Sequence, residues 1–260
     1  MSRRFTSPPL LGPFVLGLTA SCAAPALPAR VSADRSGTNP TLLRDTLEVT
    51  AGYASFGGGD GALTLTPTYT RAFRESTLAA RIAQPLGSVD LGRDGETGLG
   101  DLRLGFDWLA QLDQDQGVVF RADVTFDTAS NDALGAGRAT LTPALVWTGF
   151  LSEQSLLAFT WQQRFSVDGA ARRDALNQTT LDLRYLRTAA DQRRWWSIDP
   201  AVVIDLEAEA DTWGALVLER GWVLGDLQGG ALGAFVRPSV GFGGHRENDW
   251  TLLGGLRFVL

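Results

Sequence analysis

The 260-residue chain contains no lysine, one cysteine and one histidine, and past its first residues it never runs for 18 apolar residues without a break. Each shortage excludes something. A lone cysteine, Cys22, cannot build a disulfide framework. The single histidine, His245, sits among Gly243, Gly244, Arg246 and Glu247, so a triad hydrolase would have to draw its base from an exposed loop. No Gly-x-Ser-x-Gly elbow is present either. Zinc chemistry needs several Cys or His ligands, which the chain cannot supply. Asp90, Asp94 and Glu96 fall close together, but not at the spacing of a calcium loop, and they read as a solvated acidic loop. These shortages argue against an enzyme, and no catalytic residue, metal or cofactor is expected. The net charge of -6, with no basic cluster to neutralise phosphates, argues against a nucleic-acid partner. Without a long apolar run, a transmembrane helix is excluded. All 23 basic residues are arginine, which reads as the mark of a GC-rich genome rather than of a function.

What is present begins with an export signal. Arg3 and Arg4 form a positive start, residues 10–24 are apolar and uncharged, and Ala24-Pro25-Ala26 and Leu27-Pro28-Ala29 offer small residues for cleavage. Residues 1–29 are expected to be removed, with Ala26 the next-best cut site. Thr19-Ala20-Ser21-Cys22 partly resembles a lipoprotein box, but Thr19 stands where an aliphatic residue belongs, and Cys22 reads as part of the discarded signal. Residues 30–45 are polar, with Gly37, Asn39 and Pro40, and read as a periplasmic N-terminal segment able to tuck into whatever follows.

From Thr46 to the end the texture is uniform. Segments of about ten residues alternate apolar with polar or small side chains, the period of a strand. Twelve are predicted: 46–56, 62–73, 77–86, 101–112, 117–128, 138–151, 155–167, 178–188, 195–206, 213–224, 230–242 and 249–260. The even-numbered connections are mostly tight (74–76, 113–116, 152–154, 225–228), and the odd-numbered ones are often long (87–100, 129–137, 168–177). That sorting suits an antiparallel up-and-down transmembrane β-barrel with short periplasmic turns and longer external loops, spanning residues 46–260. A soluble sandwich has no reason to sort its loops so. Trp108, Trp147, Trp195, Trp196, Trp213, Trp222 and Trp250 lie near segment ends or on the apolar face, where two aromatic girdles are expected. The final segment alternates Trp250, Leu252, Leu256, Phe258 and Leu260 to the last residue, the amphipathic ending that the barrel assembly machinery reads, although Leu260 replaces the commoner terminal Phe.

Two stretches carry a family resemblance. Gly98-Leu99-Gly100-Asp101-Leu102-Arg103-Leu104-Gly105 resembles the G-x-G-D-x-x-L-G run of the outer-membrane proteins named for the meta-pathway of phenol degradation, and Thr142-Pro143-Ala144-Leu145 is similar to a second piece of that family. The resemblance implies an outer-membrane barrel associated with breakdown of aromatic compounds, described as a candidate transporter. The Gly-x-Gly-Asp run enters a strand, so it is not a nucleotide loop.

The barrel reading sends one face of each strand inward. Glu48, Arg81, Arg103, Asp107, Arg121, Asp123, Asp127, Arg164, Asp182, Arg184, Asp199, Asp205, Arg237 and Arg257 are expected to line the lumen. Charges of both signs there either pair to brace the wall or line a watery passage. Arg187 and Arg220 fall on the apolar face, which places them near an interface or signals a slip in register. The expected function is a cell outer-membrane channel for passive uptake of small solutes, hydrophobic or aromatic ones included. Its partners would be outer-membrane lipid, the solute and the assembly machinery. The alternative is a non-conducting barrel that binds a partner, or acts structurally, through its external loops.

Overall fold

The computed structural model of the chain describes residues 34–57, 60–73, 77–89, 95–169, 175–207, 211–244, 246 and 248–260. Among them are fourteen strands and no helix: β1 (Thr46–Gly57), β2 (Asp60–Phe73), β3 (Leu78–Ala83), β4 (Leu86–Val89), β5 (Thr97–Leu99), β6 (Arg103–Leu112), β7 (Gln116–Thr125), β8 (Arg138–Ser152), β9 (Ser155–Gly169), β10 (Asn177–Thr188), β11 (Arg194–Asp205), β12 (Asp211–Leu227), β13 (Gly230–Gly243) and β14 (Trp250–Val259). Twelve of these form a closed antiparallel wall. Each pairs with its neighbour in sequence, and β1 closes the ring on β14 through Leu47↔Phe258 and Tyr53↔Leu252. Closure leaves the ring no free edge, so the backbone of the wall pairs with neighbouring strands rather than with water.

The two remaining strands correct the predicted boundaries. The third segment does not end at residue 86. It breaks at Gln84-Pro85 and resumes as β4, which keeps the same register on β2 (Thr68↔Ala83, then Leu65↔Leu86). Pro85 has no N–H to give a ladder, which accounts for an interruption here. The fourth segment begins at Arg103 rather than 101, and β5 falls within the predicted connection 87–100, where it pairs with β4. The wall therefore rises on this side into a small hairpin above the ring.

The outward faces are apolar all round. Leu47, Leu63, Ile82, Phe106, Phe120, Trp161, Leu183, Ile198, Leu218, Val240 and Leu252 each leave more than a third of their surface uncovered. An apolar belt on that scale is far larger than a soluble monomer exposes, and it fits only a lipid surround. Trp108, Trp147, Trp196, Trp222 and Trp250 face outward too. Trp195 and Trp213 do not join that girdle, being 1% and 8% exposed. The reason is the strand period itself: adjacent Trp195 and Trp196 must point to opposite sides of the wall.

Candidate solute path

Inside the ring the side chains sort by height. At the end carrying the short turns, the inward face is apolar. Leu109, Leu112, Val119, Val146, Leu156, Ala158, Leu186, Trp195, Val223, Ala231 and Phe235 form one buried cluster there. Leu42 and Leu43 of the N-terminal segment complete it, at 9% and 6% exposed. Burying two leucines stabilises by about 1.5–3 kcal/mol each. Residues 34–45 can lie across the barrel because their polar groups are largely satisfied within the segment or on the wall. The Asp34 carboxylate accepts from the Ser36 and Asn39 N–H groups, and Asn39 Oδ1 accepts from the Thr41 N–H and hydroxyl. Arg257 Nη1 donates to the Ser36 carbonyl at 2.9 Å, Arg35 pairs with Asp226, and Asp45 accepts from Arg71 and the Ala72 N–H. Gly117 supplies the opening: a Cβ there would stand 2.6 Å from Thr41 Cγ2.

Above this plug lies a belt of ion pairs. Arg81 bridges Asp123 at 2.6 Å and Asp107 at 3.5 Å, and Arg121 holds the other oxygen of Asp107 at 2.6 Å. Arg184 donates to Asp199 at 2.9 Å, and Arg257 pairs with Glu48. Glu219, buried, accepts from Arg237 and from Trp195 Nε1, the latter at 2.6 Å. Arg237 and Arg257 also lie over the Phe235 ring, 5.3 and 4.8 Å from its centre. Charges buried this far persist only because each has a hydrogen-bonded partner.

Toward the long-loop end the interior opens. A cavity of about 540 Å³ is lined by Glu48, Arg81, Arg103, Asp123 and Arg164 with threonines of β2, β7 and β8. A second, of about 240 Å³, shares Gln162 and Arg164 with it and reaches Trp213 and Arg246. The connection 126–137 folds over the inner face of the β4–β5 hairpin at this mouth. One side chain organises it. Asp101 accepts from the Thr128 and Ala129 N–H groups at 3.0 Å each with one oxygen, and from the Ala136 N–H at 2.7 Å with the other. Ser130 and Leu99 bond each other through both backbone and hydroxyl.

This geometry gives the Gly-x-Gly-Asp stretch a physical reading. Gly98 faces inward under the loop, and a side chain there would strike the Ser130 hydroxyl. Gly105 leaves room for the Arg81–Asp123 pair. The motif seats a loop and an ion pair.

Of the fourteen lumen candidates, Glu48, Arg81, Arg103, Asp123 and Arg164 border the larger cavity, while Asp107, Arg121, Arg184, Asp199, Arg237 and Arg257 belong to the paired belt. Asp182 stands on the same inward face of β10 as Arg184, and Asp205 accepts from Gln178 at 3.2 Å. Asp127 lies past the end of β7, exposed in the connection. Arg187 and Arg220 face outward in register, both opposite Trp196. His245, Asp90 and Asp94 fall outside the described residues, and Glu96 is exposed. Sequence reasoning passed over Glu219, although an outward Arg220 obliges its neighbour to point in. The N-terminal segment was expected to tuck inward; what sequence reasoning passed over is the apolar layer of the wall that receives it, whose signal is the loss of alternation beside the short turns, in Val118-Val119, Leu156-Leu157 and Trp195-Trp196.

No protein-family model matches the sequence, and no curated protein matches it. Solved structures do resemble it. The crystal structure of the COG4313 outer membrane channel from Pseudomonas putida F1 aligns with a TM-score of 0.63 at 13% identity, covering 84% of this chain and 96% of that one. The NanC porin aligns with a TM-score of 0.54 at 11% identity, covering 82% and 98%. The fold is that of an outer-membrane β-barrel. Its closed wall and all-round apolar belt place the chain in the outer membrane.

Proposed function

We propose that the protein is an outer-membrane channel for passive passage of small solutes, narrowed at its periplasmic end by residues 34–43. The observation that carries this reading is the charged cavity of about 540 Å³ in the interior of a closed barrel. Three guanidinium groups and two carboxylates line it, with threonines between them and, among the described residues, no aromatic ring. Such a lining favours a hydrophilic solute with a negative group over a bare hydrocarbon. An aromatic carboxylate satisfies both this lining and the family resemblance carried by residues 98–105 and 142–145. Passage needs no cofactor: entry is aided by the positive wall, and exit is eased because arginines and carboxylates share it, so a solute is never held by one sign alone.

The second reading, a barrel that acts through its external loops, draws on the packing of Leu42 and Leu43 into the apolar cluster. Single-channel recording in a planar bilayer separates the two, using the mature chain and a variant lacking residues 34–43. The channel reading expects discrete, salt-dependent steps that grow several-fold in the truncated chain. It also expects Arg103→Ala to shift the reversal potential toward cations and Asp123→Ala to shift it toward anions. Folded chains silent in both forms would sink the channel and leave the loops as the working part.

A further inference from the structure

The wall carries four arginines in its strands that face lipid: Arg71, Arg187, Arg194 and Arg220. Three of them stand together. Arg187 of β10 and Arg220 of β12 flank Trp196 of β11 in one hydrogen-bonded row, and Arg194 is paired with Trp222 beside it. With Thr188 and Trp196 they rim a shallow concavity of about 180 Å³ on the outer surface. Tyr185 and Trp222 frame it, the Tyr185 ring 5.3 Å from that of Trp196 and the Arg220 guanidinium 5.8 Å from that of Trp222.

The protein does not neutralise this charge. Arg71 has Asp45 at 2.6 Å, but among the described residues neither Arg187 nor Arg220 forms an ion pair, and Arg194 reaches only Asp191, at 3.7 Å in its own turn. The carboxylates of the same three strands nearest this row, Asp182, Asp199 and Glu219, face the interior. Two arginines turned toward lipid are costly at the bilayer midplane and far less so at the headgroup level. The aromatic ring of Trp196 between them marks that level. The cluster lies at the end of the short turns, where the segment 34–45 enters β1 and the last strand finishes, the periplasmic side, whose leaflet is built of glycerophospholipids. A guanidinium fork matches phosphate oxygens two at a time.

We propose that the outward face of β10–β12 at its periplasmic end is a binding site for the phosphodiester headgroup of an anionic phospholipid, held by Arg187, Arg194 and Arg220 and bordered by Trp196. The site is independent of the solute path, from which the wall separates it.

Native mass spectrometry of the detergent-purified mature chain, offered phosphatidylglycerol or phosphatidylcholine at equal concentration, tests this directly. Retention of phosphatidylglycerol should exceed that of phosphatidylcholine several-fold. The preference should collapse in Arg187→Gln/Arg220→Gln, survive in the lysine pair Arg187→Lys/Arg220→Lys at reduced strength, and stay unchanged in Arg71→Gln. Heat-modifiable gel mobility reports whether each variant is folded, and the single variants Arg187→Gln and Arg220→Gln serve if the double one does not insert. Equal retention of the two lipids by the intact chain would overturn the proposal, as would an undiminished preference in the glutamine variants. Complete displacement by millimolar inorganic phosphate would overturn it too, since the site would then recognise free phosphate rather than a lipid.

Discussion

The two ends of the barrel interior are built on opposite principles. The periplasmic end is dry: Val119, Leu156, Leu186 and Trp195 turn inward, and Leu42 and Leu43 fill the space between them. The external end is wet: Arg81, Arg103 and Arg164 share a cavity with Asp123 and Glu48. A ring of twelve strands encloses more space than its own side chains fill. The chain meets that geometric surplus in two ways, with apolar bulk borrowed from the N-terminal segment at one end and with water at the other. What separates them is the ion-pair belt, and Glu219 is its most exposed weakness because it serves both sides. Its carboxylate takes Arg237 from above and Trp195 Nε1 from the apolar layer below.

The largest effect should therefore come from Glu219. Replacing it with Ala leaves a half-buried guanidinium and a buried indole N–H without this acceptor, at a cost of up to about 3–5 kcal/mol, the range for breaking a buried pair from one side. The unfolding midpoint in urea, followed by heat-modifiable gel mobility, measures it. Glu219→Gln, which still accepts from Trp195, should recover part of the loss. A change under about 1 kcal/mol would mean that the belt does not divide the interior and that the contrast between the two ends is one of composition only.

How much of this could be read beforehand follows from where alternation is clean. In mid-barrel the outward side chains are apolar and the inward ones charged, so the pattern Arg121, Asp123 against Phe120, Val124 announces both the strand and its faces. The same alternation is why Arg81, Asp107, Arg184, Asp199 and Arg237 were expected on the inward face. Near the periplasmic turns both faces are apolar, and period two no longer distinguishes lumen from lipid. Trp195 was assigned to the girdle on that account; Trp213, which borders the smaller cavity at the opposite end, was assigned to it because it opens a predicted segment. The break at Gln84-Pro85 was hidden differently, because β4 keeps the register of β3 and a continuous pattern runs through the interruption. Which arginine meets which carboxylate depends on neighbours across the wall, such as Arg257 with Glu48, 209 positions apart, and no local pattern carries that.

A smaller effect is expected at the external mouth. Asp101→Ala removes the acceptor of three backbone N–H groups in the 126–137 connection. Losing charge-assisted bonds of this kind costs about 1.5–3 kcal/mol each in a buried setting and less where water can substitute. Because the loop lies above the ring, the loss should loosen the loop without unfolding the wall. Limited proteolysis of whole cells should cut within 126–137 in the variant while the unfolding midpoint of the barrel stays close to that of the parent chain. If the barrel midpoint fell as far as in Glu219→Ala, the loop would be part of the wall's stability, and the external end could not be treated as separable.

The smallest effect belongs to the turn between β6 and β7, on the opposite side. Asp113 Oδ1 accepts from the Asp115 and Gln116 N–H groups at 2.9 Å each, and Oδ2 accepts from Gln111 at 3.2 Å. Those backbone donors hold its carboxyl below the ordinary carboxylate value, foremost the Asp115 N–H and then that of Gln116. A group whose folded pKa is depressed stabilises the native state above its unfolded pKa, and that contribution disappears as pH falls through the folded value. The difference in unfolding midpoint between the parent chain and Asp113→Asn should thus be level above about pH 4 and shrink below it. Asp113 is fully exposed, so the difference stays small even where it is complete, and added salt should reduce it further. A difference that instead grew toward acid would show that the titrating group is not Asp113 but one of the buried carboxylates of the belt, and would tie the periplasmic turns to the charged layer that the apolar plug now separates from them.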